Sequence, residues 1–381
     1  MFSTRKHHPA RLLAFLSLAA MTATAACTGP TDAAPSAVTA ETKACLEQVG
    51  DFLAPYTKPA TTLPSELTAL ARRPDPGGSV IQISNGSLPQ DVTTANATVA
   101  AARAIGWAGK VLITDGSVED LNAKWQQAIA EHPTAIIGST SSDSIRNALS
   151  AARKAGILTA LNAASDTPND QTGPDVVNNG ATEYADIGEV NAYTVLRDAG
   201  CVPTDVVVVS LQFPVLQAEA DKFKETLQAH CPKCGVTVKT LQNSEVGTPA
   251  ATGSIVSTLQ ADPSAKYVYA LIGSLGVGVP AALQAAGMTD VKVFGAQPDS
   301  TAIQAVVAGS AAWWLSQENS EITGWFLLDG ILRAKESGKP HNEVAGTPTI
   351  LTRDTVPAGA QDPPIYPADY AALFTKIWRI G

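Results

Sequence analysis

Residues 135–162, AIIGSTSSDSIRNALSAARKAGILTALN, constrain the fold more than any other stretch. The segment opens on a short apolar run, Ala135, Ile136 and Ile137, and crosses a polar loop over 138–144. It then takes up a helical period, with Ile145, Ala148, Leu149, Ala152 and Ala155 recurring every three or four residues. Gly156 ends the helix, and residues 157–161 resume as an extended apolar run. Strand, loop, helix and strand in that order bury their apolar faces only as a right-handed parallel crossover. Open sheets of such units bind ligands beyond the carboxyl ends of their strands. Ser139, Thr140, Ser141 and Ser142 fall there. Hydroxyls both donate and accept hydrogen bonds, so the loop suits a neutral polar ligand. Its rival use is to cap the helix that follows, through Ser142 or Asp143.

The alternation is regular around this unit. Residues 80–84 and 110–114 read as strands, and 92–105 and 118–131 as helices. Their strand ends carry Ser84, Asn85 and Ser87, then Asp115 and Ser117, and finally Asn162. Four consecutive strand ends with small hydroxyl or amide groups exceed what solubility requires. Residues 41–73 form a helical preface with Leu46, Val49, Phe52 and Leu53 as its apolar stripe, and a turn-rich stretch to Gly78 leads into the first strand.

The amino terminus carries an address. Arg5, Lys6 and Arg11 precede a short apolar core over 12–20 and small residues at 24–26, the pattern of a secretory signal peptide over 1–26. Cys27 then resembles the lipidated cysteine of a bacterial lipobox, with Thr24 where a leucine is usual; the alternative is ordinary cleavage near Ala26 without a lipid. Residues 28–40 read as a flexible Thr-, Ala- and Pro-rich tether, so that 27–77 hold the lipidated cysteine, tether and helical preface. The net charge of −9 falls to about −12 once the three basic residues leave with the signal, which argues against nucleic acid or an anionic membrane surface as partner. No second long apolar run exists, leaving a lipid on Cys27 as the only expected membrane attachment. Cys45, Cys201, Cys231 and Cys234 remain, an even count that favours disulfides outside the cytoplasm. Three connectivities are possible; Cys201 and the pair Cys231/Cys234 both precede strands of one sheet, so a bond from Cys201 to either is geometrically reasonable. A zinc or redox use of Cys231-Pro-Lys-Cys234 beside His230 lacks further ligands of sensible spacing.

The order and wording of these elements resemble the ribose-type periplasmic binding proteins, the substrate-binding subunits of bacterial sugar ABC importers. In the first half the likeness lies in the helix ending Ala104-Ile105-Gly106, in Asp115-Gly116, in Ala135-Ile136-Ile137 and in Ala151-Ala152-Arg153-Lys154-Ala155-Gly156-Ile157. In the second half it continues through Ala199-Gly200 before the strand 206–210, Lys222-Phe223, the strand 267–272, Ala281-Ala282-Leu283-Gln284-Ala285-Ala286-Gly287, the strand 291–295, Leu315-Ser316-Gln317, the helix 322–334 and the closing segments 350–356 and 374–378. It covers residue 78 to the carboxyl terminus. The resemblance implies an α/β protein of two similar doubly wound parallel-sheet lobes joined by a three-strand hinge, the periplasmic binding protein type I fold. By that pattern residues 78–162 plus 318–346 form lobe 1 and 163–317 plus 347–381 form lobe 2. The crossings fall near 162–164, near Gln317 and around 347–351, and the lobes close on a ligand between them.

Carried over position by position, the resemblance makes Gln317 the hinge glutamine that touches ligand and places Ser84 where the first strand meets the pocket. Gln297, Asn162 and Ser141 stand at positions where the sugar binders have carboxylates. Gln217 replaces an arginine, and Ser274 lies near an Asn-Asp pair. Gln90, Asp91 and Val246 occupy the places of stacking phenylalanines, which leaves Phe213, just past the strand 206–210, as a replacement surface. The expected ligand-binding set is therefore Ser84, Asn85, Ser87, Gln90, Asp91, Asp115, Ser139, Thr140, Ser141, Asn162, Phe213, Gln217, Ser274, Gln297 and Gln317. No Arg or Lys stands at these loops, and burying an unpaired charge costs several kcal/mol. A small neutral polar, sugar-like ligand is expected. So are delivery to an ABC permease and a monomeric state.

Competing function classes fare worse. An enzyme needs a nucleophile with a base, paired carboxylates or a metal set in one pocket; the strand ends offer Ser, Asn and Gln, with Asp91 and Asp115 as acids and no histidine. No cofactor or metal is expected. The glycine-rich run 273–278 lacks the lysine of a phosphate loop. A repressor with a similar core is set aside by the signal peptide and by the lack of a helix-turn-helix before Gly78. A sensor that hands its closed form to a chemoreceptor or membrane kinase, or a binder of a non-sugar metabolite, stays open as the alternative.

Overall fold

A computed structural model describes residues 39–169, 171–316 and 319–380. The expected signal peptide, Cys27, the expected tether up to residue 38 and Gln317 lie outside the described residues. Helix α1 (Ala40–Leu53) leads into the strand β1 (Ser79–Asn85), followed by α2 (Pro89–Ala104), β2 (Ala108–Thr114), α3 (Val118–Ala130), β3 (Ala135–Gly138), α4 (Arg146–Lys154), β4 (Leu158–Asn162) and a short β5 (Val176–Asn178). The second half runs α5 (Ala181–Asp198), β6 (Asp205–Leu211), α6 (Pro214–His230), β7 (Val236–Leu241), α7 (Pro249–Ala261), β8 (Ala265–Ala270), α8 (Val279–Ala285), β9 (Lys292–Ala296), α9 (Ser300–Ala308) and β10 (Trp313–Ser316). The chain ends with α10 (Ser320–Ser337), β11 (His341–Asn342), β12 (Thr349–Thr352) and α11 (Tyr370–Ile377).

These strands make two six-stranded sheets, ordered β11-β5-β4-β3-β1-β2 and β12-β10-β9-β8-β6-β7. Pairing is parallel except for β12, which runs antiparallel to β10. Parallel strands covered on both faces read as near-continuous apolar runs, as in the fully buried Val206, Val207, Val208 and Val209 of β6. The sheets put their carboxyl ends where the sequence pattern requires. Each half also brings two helices together at a glycine. A Cβ on Gly324 of α10 would lie 2.4 Å from the Thr98 backbone nitrogen of α2, and one on Gly188 of α5 would lie 2.2 Å from the Glu219 carbonyl oxygen of α6. Any larger residue at either point would force the helices apart.

The second core holds a buried polar chain. The Tyr269 hydroxyl donates to the Glu219 carboxyl, the Asn191 amide donates to Tyr269 at 3.0 Å, and the Trp313 indole N–H donates to Asn191 at 3.1 Å. Burial pushes the Glu219 carboxyl well above the ordinary value, and the Tyr269 hydrogen bond offsets this in part.

Several expectations are corrected by the packing. The chain does not leave the first sheet near 162–164, because β5 adds to β4 through Ala160–Val176, Leu161–Val177 and Asn162–Asn178. Val176 and Val177 are fully buried, so a three-residue apolar pair inside a Pro-, Gly- and Asn-rich stretch suffices once an open strand edge waits for it. The carboxyl-terminal helix, expected in the second half, packs in the first: Trp378 stacks on Trp325 at 5.3 Å, with Phe374 fully buried beside them. The helical preface goes to the second, where Val49 and Leu53 are buried and Phe52 stacks on Tyr193 at 3.9 Å. The disulfides also differ from expectation. Cys45 bonds Cys201, and Cys231 bonds Cys234. Packing α1 against α5 brings Cys45 to Cys201, which follows α5, and the adjacent pair Cys231/Cys234 closes on itself.

Candidate functional site

A cavity of about 270 Å³ lies at the carboxyl ends of the strands and takes its walls from both halves of the chain. From the first half come Gln90, Asp91 and Thr94 at the start of α2, then Ser139, Thr140 and Ser141 after β3, and Asn162 and Ala163 at the end of β4. The second half supplies Gln212 and Phe213 after β6, Ile272 after β8, Gln297 after β9, and Tyr184 of α5. Ser316 comes from the end of β10, Asn319 from just before α10, and Ser320 and Thr323 from the first turn of α10.

Asp91 is the carboxylate of this lining. It sits in the first turn of α2, accepts a hydrogen bond from the Ser139 hydroxyl and another from the Asn85 backbone N–H at 2.6 Å. Burial raises its pKa, and those two hydrogen bonds, with a weaker contribution from Ser84, oppose the rise. No Lys, Arg, His or Glu appears in the described lining. The Gln90 side-chain nitrogen and the Asn162 side-chain oxygen are buried without a protein partner. A buried donor or acceptor left unpaired costs about 1–3 kcal/mol, so these two atoms are poised for a guest that supplies the missing bonds.

The backbone is strained at the same place. Ala163, Asn179 and Gln297 each line the cavity, and each follows a strand directly with φ of 53°, 51° and 47°. Such left-handed geometry costs a non-glycine residue about 1–2 kcal/mol and clusters at functional sites. At Gln297 the turn brings the side-chain oxygen within 3.4 Å of the Tyr184 hydroxyl, which donates to it.

Eight residues expected in the site line the cavity: Gln90, Asp91, Ser139, Thr140, Ser141, Asn162, Phe213 and Gln297. Six others do not. Ser84 is fully buried behind Asp91. Asn85 shapes its own loop, its side chain accepting from the backbone N–H of the exposed Ser87 at 2.9 Å. Asp115 accepts from the Ser117 backbone N–H at 2.8 Å beside the α3 start, and that contact with Ser117 lowers its pKa. Gln217 is exposed and donates to Asp221 one helical turn on, at 2.8 Å. Ser274 is buried in the turn Gly273–Gly276, away from the cavity. Among residues the sequence did not single out, Thr94 stands one helical turn from Gln90 and Asp91, a spacing that puts it on their face. Tyr184, Gln212 and Thr323 carry no local signal and are brought in by the fold.

A model of the periplasmic binding protein domain matches residues 89–327. The chain belongs to the periplasmic binding protein family. Its two α/β sheets are the type I architecture of that family. No curated protein sequence matches it. Among solved structures, this periplasmic binding protein is similar to an ABC transporter solute binding protein from Burkholderia graminis C4D1M in complex with D-arabinose, at 17% identity and a TM-score of 0.64 over 75% of this chain and 99% of that one. It is similar also to one from Agrobacterium vitis bound with α-D-tagatopyranose, at 19% identity and a TM-score of 0.63 over 74% and 97% of the two chains. A third, from Mycobacterium smegmatis with bound glycerol, shares 17% identity and a TM-score of 0.62 over 77% and 99%. At these identities the likeness is one of fold. The family is one of binding proteins rather than enzymes, which agrees with an extracytoplasmic setting. Among the described residues no helix is long and apolar enough to cross a membrane, and no group of three or more His, Cys, Asp or Glu side chains is placed to hold a metal.

Proposed function

We propose that this chain is an extracytoplasmic solute-binding lipoprotein that captures a small neutral polar molecule, a sugar or polyol, by closure of two lobes and delivers it to an ABC permease. The observation that carries the proposal is the cavity lining among the described residues: amides and hydroxyls from both halves, one carboxylate, and no basic group. A volume of about 270 Å³ sits just under the ~300–1,000 Å³ span of small-molecule sites, which suits a compact guest. A phosphate or carboxylate closed into that space would be desolvated without a cation, at a cost of several kcal/mol. A polyhydroxylated guest meets Gln90 and Asn162 with the donors and acceptors they lack, and donates to Asp91. The bound ligands of the structural neighbours, D-arabinose, tagatopyranose and glycerol, have this chemistry. The moving bodies in this reading are 78–162 plus 318–346 and 163–317 plus 347–381, with 176–178 and the carboxyl-terminal helix assigned to the first and α1 to the second. Cys27 carries the lipid, and the protein acts as a monomer.

The test is thermal unfolding of the purified protein with D-arabinose, D-tagatose, glycerol, further pentoses, hexoses and polyols, amino acids and sugar phosphates. At one hundred times its dissociation constant a true ligand adds about 2.7 kcal/mol. At least one neutral polyhydroxyl compound is expected to raise the midpoint. Stabilisation by amino acids or sugar phosphates alone would overturn the ligand class.

A further inference from the structure

The resemblance implies three chain passages between halves, yet among the described residues the two cores are joined by five. Three are those after β5, between β10 and α10, and between β11 and β12. A fourth leads from α1, packed on the second core, to Leu67 and Leu70, buried in the first. The fifth, residues 353–369, runs from β12 in the second sheet back to α11 in the first core. It lies beyond the segment matched by the family model, which ends at residue 327.

This fifth passage runs beside the cavity, which Pro363 lines, and is fastened on both sides. Val356, Ala360 and Tyr366 pack on the second core, and the Ser300 hydroxyl of α9 donates to Asp362 at 2.5 Å. On the other side Ile365 packs on the first core, and the Asn319 side chain, at the start of α10, donates to the Pro363 carbonyl at 2.8 Å. Neighbouring residues Ile365 and Tyr366 thus face opposite cores, and Pro363 between these anchors lines the cavity. Asn319 lines it too, yet both ends of its amide are engaged, the oxygen accepting from the Glu321 backbone N–H at 2.8 Å. Anchored on both halves, this segment is placed to resist their separation at the cavity.

We propose that residues 353–369 are a strap beside the cavity that limits how far the halves separate, and with it how widely the cavity opens to a ligand. The consequence for exchange rests on the ligand reading above; the limit on separation does not. The strands farthest from the passages are the edge strands β2 and β7, so separation is read most sensitively there. Spin labels on Ala123→Cys, exposed on α3 beside β2, and on Thr237→Cys, exposed on β7, report it by pulsed electron resonance in the absence of ligand. Two strap variants are compared with the labelled parent. Ser300→Ala with Asp362→Ala removes the anchor on the second half without touching the cavity lining. Insertion of Gly-Ser-Gly-Ser after Asp362, between its anchor on the second half and the Pro363 anchor on the first, keeps the anchoring residues and adds about 13 Å of slack. Both variants are expected to shift and broaden the distance distribution toward longer values. An unchanged distribution in the inserted variant, whose fold is checked by its melting curve, would overturn the proposal. Because no ligand is present, failure here leaves the sugar reading standing, and failure of the thermal-shift panel leaves the strap standing.

Discussion

Asp91 shows how one side chain tunes a cavity of otherwise neutral groups. Burial raises its pKa, and the Ser139 and Asn85 hydrogen bonds hold part of the charge in place. A ligand hydroxyl donating to it prefers the ionised form. Affinity is then full above the raised pKa of the free protein and falls as the pH drops through it. Calorimetric titration with the ligand found in the panel, from pH about 7 down to about 4, should show this loss. Asp91→Asn should bind about 1–3 kcal/mol more weakly at neutral pH and lose the pH dependence; an unchanged profile in Asp91→Asn would remove this residue from ligand contact. At this scale the sequence was partly legible. Ser139, Thr140, Ser141 and Asn162 follow strands whose position was readable from apolar runs, so they fell where strand ends must. Asn85 ends β1 and Asp115 follows β2, the edge of the sheet, but both side chains turn to the backbone of their own loops. Tyr184 reaches the cavity from the first turns of α5, a placement that depends on where β5 releases the chain.

Helices and strands with strong periods were legible to within a few residues, and the misplaced ones share a cause. β5, α1 and α11 are short or peripheral, and each is assigned by a partner distant in sequence: β5 by the free edge of β4, α11 by Trp325, and α1 by Tyr193 and Cys201. Local pattern says that α1 is amphipathic and nothing about which core takes it. The Cys45–Cys201 bond spans 156 residues, and the Cys231–Cys234 bond spans only 3. Loop-closure entropy makes the long closure worth about 3–5 kcal/mol and the short one about 2 kcal/mol or less. Urea unfolding of Cys45→Ser/Cys201→Ser is therefore expected to show a distinctly larger loss of stability than Cys231→Ser/Cys234→Ser. Equal losses would mean that α1 stays docked by packing alone.

For the whole molecule, two sheets with the same parallel plan follow from the repeated strand–helix rhythm, and the cavity between their carboxyl ends follows from that plan. The number of ties between the halves did not. It depends on terminal segments with little periodicity, 58–70 and 353–369, which find their places only against finished surfaces. Attachment belongs to this scale too. Cys27→Ser is expected to move the protein from the membrane fraction to the soluble fraction of the cells, and retention at the membrane would refute the lipid. The bond between Cys45 and Cys201 gives that attachment a mechanical sense. Under the proposed lipid anchor, a pull on the chain ahead of Ala40 would reach the β6–β10 body through this covalent rivet, which would moor that body and leave the other to swing.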